Sequence, residues 1–205
     1  MNAANLTGLG TCPSGVVCGL AIAAENPVYV QGDYNADYSK PGSSGFGDTS
    51  VGSSIAGDSV TILSNNWNDV NSFSYSLYAN NGPRTPSATY WRAAVIGGKG
   101  VSFPEFAGNA DNGTDGGMHN FLRYVENWNG YTVNYMGALV NLYTNRQGTG
   151  FFKYGNTVYT VPVRNASFDT NFLTPSDLPP RTPMFREVNT TGWTRVLQPE
   201  KGNYQ

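Results

Sequence analysis

Charge is scarce in this chain. Only 13 % of its 205 residues are Asp, Glu, Lys or Arg, and the net charge is −2; an ordinary soluble domain carries roughly 25 %. A nucleic-acid partner would ask for a basic stripe to meet its phosphates, so none is expected. No apolar run approaches the length of a membrane span, so this segment is expected to make no membrane contact. Met1-Asn2-Ala3-Ala4-Asn5 has neither the basic nor the apolar part of a signal peptide. Those first residues resemble the middle of a polypeptide, and the expectation is an excised part of a longer exported chain.

Histidine and cysteine are equally sparse. His119 is the single His, and Cys12 and Cys18 are the two Cys. The short Cys12–Cys18 loop holds Pro13 and Gly15, which can bring the two Cα atoms to disulfide distance. A disulfide is expected there, against two free thiols; a metal site would need more ligands than the loop offers. A bridge would mean an oxidising compartment.

What fills the chain instead is Asn, Gly, Ser, Thr and Tyr, with 25 Gly and 13 Tyr. Apolar residues alternate on either side of glycines. Val133 and Tyr135 precede Gly137, and Val140 and Leu142 follow on the opposite parity. Ala94 and Ile96 precede Gly97-Gly98, with Val101 and Phe103 after them. Ile55 precedes Gly57, with Val60 and Ile62 beyond; Val28 and Val30 before Gly32 make a shorter copy. A parity switch at glycine predicts a corner between two short strands. Units of this kind, roughly 25 to 40 residues apart, predict stacked coils that share one core. The fold expected is all-β: a right-handed single-stranded β-helix, or solenoid, with projecting loops, forming one domain over 1–205. A sandwich or barrel is the alternative.

Residues 1–24 form an irregular lead-in on this scheme, with Gly19-Leu20-Ala21-Ile22-Ala23 offering a first strand, and 39–54, 80–87 and 111–117 are loops. At most one short helix is expected. Phe121, Leu122, Tyr124 and Val125 lie at helical spacing behind a possible Asn120 cap, with one more strand as the equal alternative. Beyond Gly148 the prolines make strands unlikely, and about 160–205 is expected to be an extended Pro-rich strap capping the stack. Phe168, Phe172, Leu173, Leu178 and Phe185 would anchor it.

Candidate chemistry is thin. Asp33, Asp58, Asp69, Glu105, Asp111, Asp115 and Glu126 show no clustered pair of the type glycoside hydrolysis requires, and each is expected to serve a turn or the surface. His119 lacks a nucleophile motif and is expected to hold a turn. Asp111 and Asp115 are a weak Ca²⁺ candidate whose spacing fails the EF-hand pattern. No other cofactor is expected. Lys99 is a remote candidate for an isopeptide bond. Trp67, Tyr75, Tyr78, Tyr90 and Trp91 flank the longest loop and are candidate ligand-surface aromatics, set against the plainer expectation that they stack in the core.

Six runs carry a family likeness: ENPVYVQGDYN at 25–35, GDSVTILSNNW at 57–67, HNFLRYVENW at 119–128, NRQGTG at 145–150, FDTNFL at 168–173 and LPPRTP at 178–183. Together they resemble the C-terminal region of uncharacterised bacterial surface proteins whose N-terminal part is similar to a PilX-like minor pilin. The family's usual Gln-Ala-Thr-Gly stands here as Gln147-Gly148-Thr149-Gly150. The resemblance implies export, an extracellular or cell-surface place, and a role at a type IV pilus; it supplies no catalytic residues. The function expected is a non-enzymatic structural or adhesive module whose partners are other pilus or surface subunits, copies of itself, or glycans. The alternative is a carbohydrate-binding or carbohydrate-active protein, such as a polysaccharide lyase or hydrolase.

Overall fold

The computed structural model describes residues 18–36, 46, 50–74, 82–99, 121–148, 158–184 and 192. In chain order the elements are β1 (Gly19–Ala23), β2 (Val28–Gln31), β3 (Gly52–Gly57), β4 (Val60–Leu63), α1 (Asp69–Phe73), β5 (Thr89–Gly97), β6 (Leu122–Arg123), β7 (Thr132–Val140) and β8 (Val163–Phe168). Two 3-10 turns follow, Thr170–Leu173 and Pro175–Asp177. The strands form two parallel sheets, one of five in the order β1-β3-β5-β7-β8 and one of three in the order β2-β4-β6.

The protein is thus mostly β, as its alternating apolar residues imply, but the expected single-stranded β-helix is not what forms. The strands do not close into a solenoid. Five strands stand in one sheet against three in the other, so among the described residues β7 and β8 have no counterparts beside β6. Gly57 and Gly97 do end β3 and β5, and they pair with each other in register. Gly137 does not turn the chain, because β7 runs straight through it. The reason for glycine there is close approach. A Cβ at Gly137 would collide with the Ala93 carbonyl oxygen of β5, and it would lie 2.8 Å from the Tyr135 hydroxyl. With no corner, the parity switch fails as well: Leu142 is 75 % exposed.

Both sheets feed one core. Ile55, Trp91, Ala93, Val95, Val133 and Tyr135 come from the five-stranded sheet, and Val60, Ile62 and Leu122 from the smaller one. Aromatics from the connections complete it. Trp128 and Tyr159 have no exposed surface, and Trp128 meets Trp91 and Tyr124 edge-on at centroid distances of 6.2 and 6.1 Å. Burying each such side chain contributes about 1.5–3 kcal/mol.

Within residues 121–127, β6 forms rather than a helix, because Phe121, Leu122 and Tyr124 are all buried and Val60 and Thr61 of β4 supply a strand partner. The one short α-helix among the described residues is α1. Asn68 caps it, its side chain accepting from the Asn71 N–H at 3.0 Å.

Past Gly148 a further strand does occur. β8 pairs with β7 along its whole length, with Pro162 falling just before it, where a missing N–H costs no ladder bond. The chain then crosses the five-stranded sheet. Asp169 N–H donates to Gly137 of β7 at 3.3 Å, and its carboxylate binds Arg92 of β5. Asp177 and Leu178 lie so close over Gly52 of β3 that a Cβ there would come within 2.5–2.7 Å of them. Pro180 comes equally close over Gly19 of β1. The expected anchors hold this segment only in part: Phe168 is 52 % and Leu173 74 % exposed, while Phe172 and Leu178 are half-buried. Asp169 and Pro179 are buried, and Phe185 lies outside the described residues.

Candidate functional site

Among the described residues four carboxylates are buried, and each fastens two distant parts of the chain. Asp33 accepts from the Tyr90 N–H at 2.9 Å and from Asn65 Nδ2 at 2.8 Å. Asp58, 5 % exposed, accepts from three successive backbone N–H groups, those of Arg146, Gln147 and Gly148, at 2.6, 3.0 and 2.6 Å. Asp169 takes Arg92 Nε and Nη2 in a two-pronged pair at 2.7 and 2.9 Å. Glu126, with no exposed surface, accepts from the Ser64 N–H at 2.7 Å and the Ser64 hydroxyl at 2.6 Å.

These acids therefore serve neither simple turns nor the surface, as the sequence suggests for Asp33, Asp58 and Glu126. They also join the runs that carry the family likeness. GDSVTILSNNW meets NRQGTG at Asp58 and HNFLRYVENW at Ser64, and ENPVYVQGDYN meets Asn65 through Asp33.

Glu126 lines a cavity of polar character. Asn66, Trp67, Asn68, Asn71, Pro83 and Arg84 share that lining, and the space is about 130 Å³. Burial pushes the Glu126 carboxyl up, and the two Ser64 hydrogen bonds and the nearby charge of Arg84 offset this only in part, so it titrates above the usual carboxylate range. Burial lowers the Arg84 guanidinium in turn, partly countered by Glu126. Arg84 is 4 % exposed and donates to the Val158 carbonyl at 3.2 Å. One charge of each sign thus stands in a wall otherwise made of amides, a proline and an indole. The Trp67 ring is pinned by its Nε1–H donating to Asp69 at 2.7 Å.

A larger space of about 270 Å³ lies under the crossing segment, with Gly52, Asp169, Phe172 and Asp177 in its walls. Its carboxylate Asp169 is already committed to Arg92. A third, of about 110 Å³, is mainly apolar and opens between β7, β8 and β6 at Leu122, Tyr124, Val133 and Arg164.

The candidate aromatics do not form one patch. Trp91 is 2 % exposed and belongs to the core. Tyr90 is half-buried and packs edge-on against Phe46 at 5.6 Å. Trp67 alone lines a cavity, and Tyr75 and Tyr78 lie outside the described residues. So do Asp111, Asp115, Glu105, His119 and Cys12. Cys18 is not a free thiol. Lys99 forms a bridge with Thr144, its N–H donating to Tyr143 at 3.1 Å. Among the described residues no three His, Cys, Asp or Glu side chains gather as a metal site would require, and no helix is long and apolar enough to cross a membrane.

Sequence reasoning did not pick out Arg84, Asn66, Asn68 or Asn71 as site residues, nor the pair Arg92 and Asp169. A signal existed for some of them. Glu126 stands between Tyr124-Val125 and Asn127-Trp128, and Arg92 between Trp91 and Ala93-Ala94-Val95; an ionic residue inside an apolar strand pattern is either turned outward or paired.

Such a site on an all-parallel β framework defines a class by architecture alone. No family model, no curated protein and no solved structure matches the chain.

Proposed function

We propose that this chain is a non-enzymatic structural or adhesive module of an exported bacterial protein, displayed at the cell surface or on a type IV pilus. The observation that carries this reading is β8. It ends the five-stranded sheet, and all six of its residues are exposed. An edge strand offers a row of backbone donors and acceptors to a further strand. Side chains support the same contact. Asn165 of β8 donates to Asn134 of β7 at 2.9 Å, and Asn134 reaches on to Thr89 of β5 at 3.4 Å, so a run of amide contacts ends at the open edge. Val163 and Phe168, 58 % and 52 % exposed, add apolar surface beside it.

The buried acids fit a holding role better than a catalytic one. Both oxygens of Glu126 are engaged by Ser64, and Asp58, Asp33 and Asp169 are each satisfied by donors from elsewhere in the chain. A bridge between Cys12 and Cys18, as the sequence leads one to expect, would fit the same exported reading.

The test is self-association or capture of pilus subunits, followed by sedimentation and cross-linking. Ala166→Pro, which removes a backbone donor facing away from β7, is expected to abolish assembly and leave the monomer folded. A wild-type chain that stays monomeric at high concentration and captures no subunit would remove the structural reading. Release of product from neutral or acidic polysaccharides would favour a carbohydrate-active protein instead.

A further inference from the structure

The cavity beside Glu126 has properties that an assembly module does not call for. Its polar groups are only partly used by the protein. Asn66 Nδ2 donates to the Thr85 carbonyl at 2.8 Å, and Asn68 Oδ1 is spent on capping α1. Asn66 Oδ1, Asn68 Nδ2 and the whole side-chain amide of Asn71 have no partner among the described residues. An amide offers donors and an acceptor together, the complement of a hydroxyl that can do both. Arg84 and Glu126 supply opposite charges at the back of the space, which gives no preference for a charged ligand. The indole of Trp67 is pinned at its N–H, and a wall held rigid beforehand loses little entropy on binding.

We propose that this cavity binds a neutral, hydroxyl-rich ring of the hexopyranose class, with Trp67 as the wall on which the ring packs and Asn66, Asn68 and Asn71 as its hydrogen-bonding partners. The inference rests on the adhesive half of the function proposed above and names its ligand. Glu126 touches Ser64 with both oxygens and acts as a positioning residue, holding the 64–68 turn that carries three of the lining side chains. The site is a binding site with no bond made or broken.

The experiment is a titration of the full chain with glucose, galactose and N-acetylglucosamine, followed by NMR at the Trp67 indole N–H and the Asn71 side-chain amide. Glucuronate serves as the charged comparison. At least one neutral sugar is expected to shift both signals saturably, with a Kd of about 1 mM. Trp67→Ala is expected to weaken binding about tenfold or more, and Asn71→Ala by roughly threefold. Asn71→Ala alters an exposed side chain on α1 and is the variant that keeps the fold. Three results would overturn the proposal: no neutral sugar moves either signal, glucuronate binds in preference, or binding is unchanged in both variants. Sugar binding that persists in an Ala166→Pro monomer would separate this site from assembly. Assembly without sugar binding would end the present inference and leave the structural module standing.

Discussion

Two corners of the molecule hold a buried carboxylate in opposite ways. At the β3–β4 corner, Asp58 receives three backbone N–H groups from residues 146–148. Burial alone would push its carboxyl up. Those three donors and the charge of Arg123 more than reverse this, and it titrates below the usual range. At the end of β4, Glu126 has the two donors of Ser64 and the Arg84 charge against a deeper burial, and it titrates above that range. What separates the two is the number of donors set against desolvation. Asp58 is a strong fastener in its ionised form, whereas Glu126, held above the usual carboxylate range, is the weaker one in that form.

Substitutions can break this contrast, and Asp169 marks its extreme because its partner is a full charge. Asp169→Ala leaves Arg92 buried without its counter-ion and is expected to cost about 3–5 kcal/mol, read as the shift in a urea unfolding midpoint, with the 169–180 crossing becoming protease-sensitive. Asp58→Asn places an NH₂ group among three N–H donors and is expected to cost about 2 kcal/mol. Glu126→Gln keeps an acceptor for the Ser64 N–H while the Ser64 hydroxyl can rotate to accept, so its cost is expected to stay below about 1 kcal/mol.

The pH dependence sharpens the same comparison. Asp58 has a lowered folded pKa, so its contribution is present above the unfolded value of about 3.9 and is lost as pH falls through the folded one. Glu126 has a raised folded pKa, so its contribution is present below about 4.3 and is lost as pH rises through the folded value. Urea midpoints across pH should therefore show Asp58→Asn converging on the wild type in acid. Glu126→Gln should gain on the wild type as pH rises. Parallel curves for all three proteins would contradict the opposite assignments.

The strands were largely legible in the sequence, and their arrangement was not. Ile55-Ala56-Gly57 and Val95-Ile96-Gly97 announce strand ends because the apolar alternation stops at glycine, and the structure sets those two glycines side by side. Gly137 carries the same signal for another reason, room for the Ala93 carbonyl, and alternation cannot tell a corner from a close approach. β8 was hidden by the surrounding prolines, because Pro162 and Pro175 fall outside the pairing it makes. The acids were illegible for a more general reason. Asp58 meets partners 88 to 90 residues away, and Glu126 and Asp169 meet theirs at 62 and 77. Local spacing carries no trace of contacts so remote. Trp67 was visible as a candidate, but only the fold places it in the turn between β4 and α1 while Trp91 lies buried within β5.

The most direct test of the buried carboxylates as fasteners is amide hydrogen exchange at Arg146, Gln147 and Gly148, in the wild type and in Asp58→Asn at neutral pH. The account predicts protection in the wild type comparable to the neighbouring strands. In the variant it predicts exchange at least about tenfold faster at those three amides, with β3 and β4 unchanged. Equal exchange at residues 146–148 in both proteins would mean that Asp58 does not hold that loop, and would contradict the central claim.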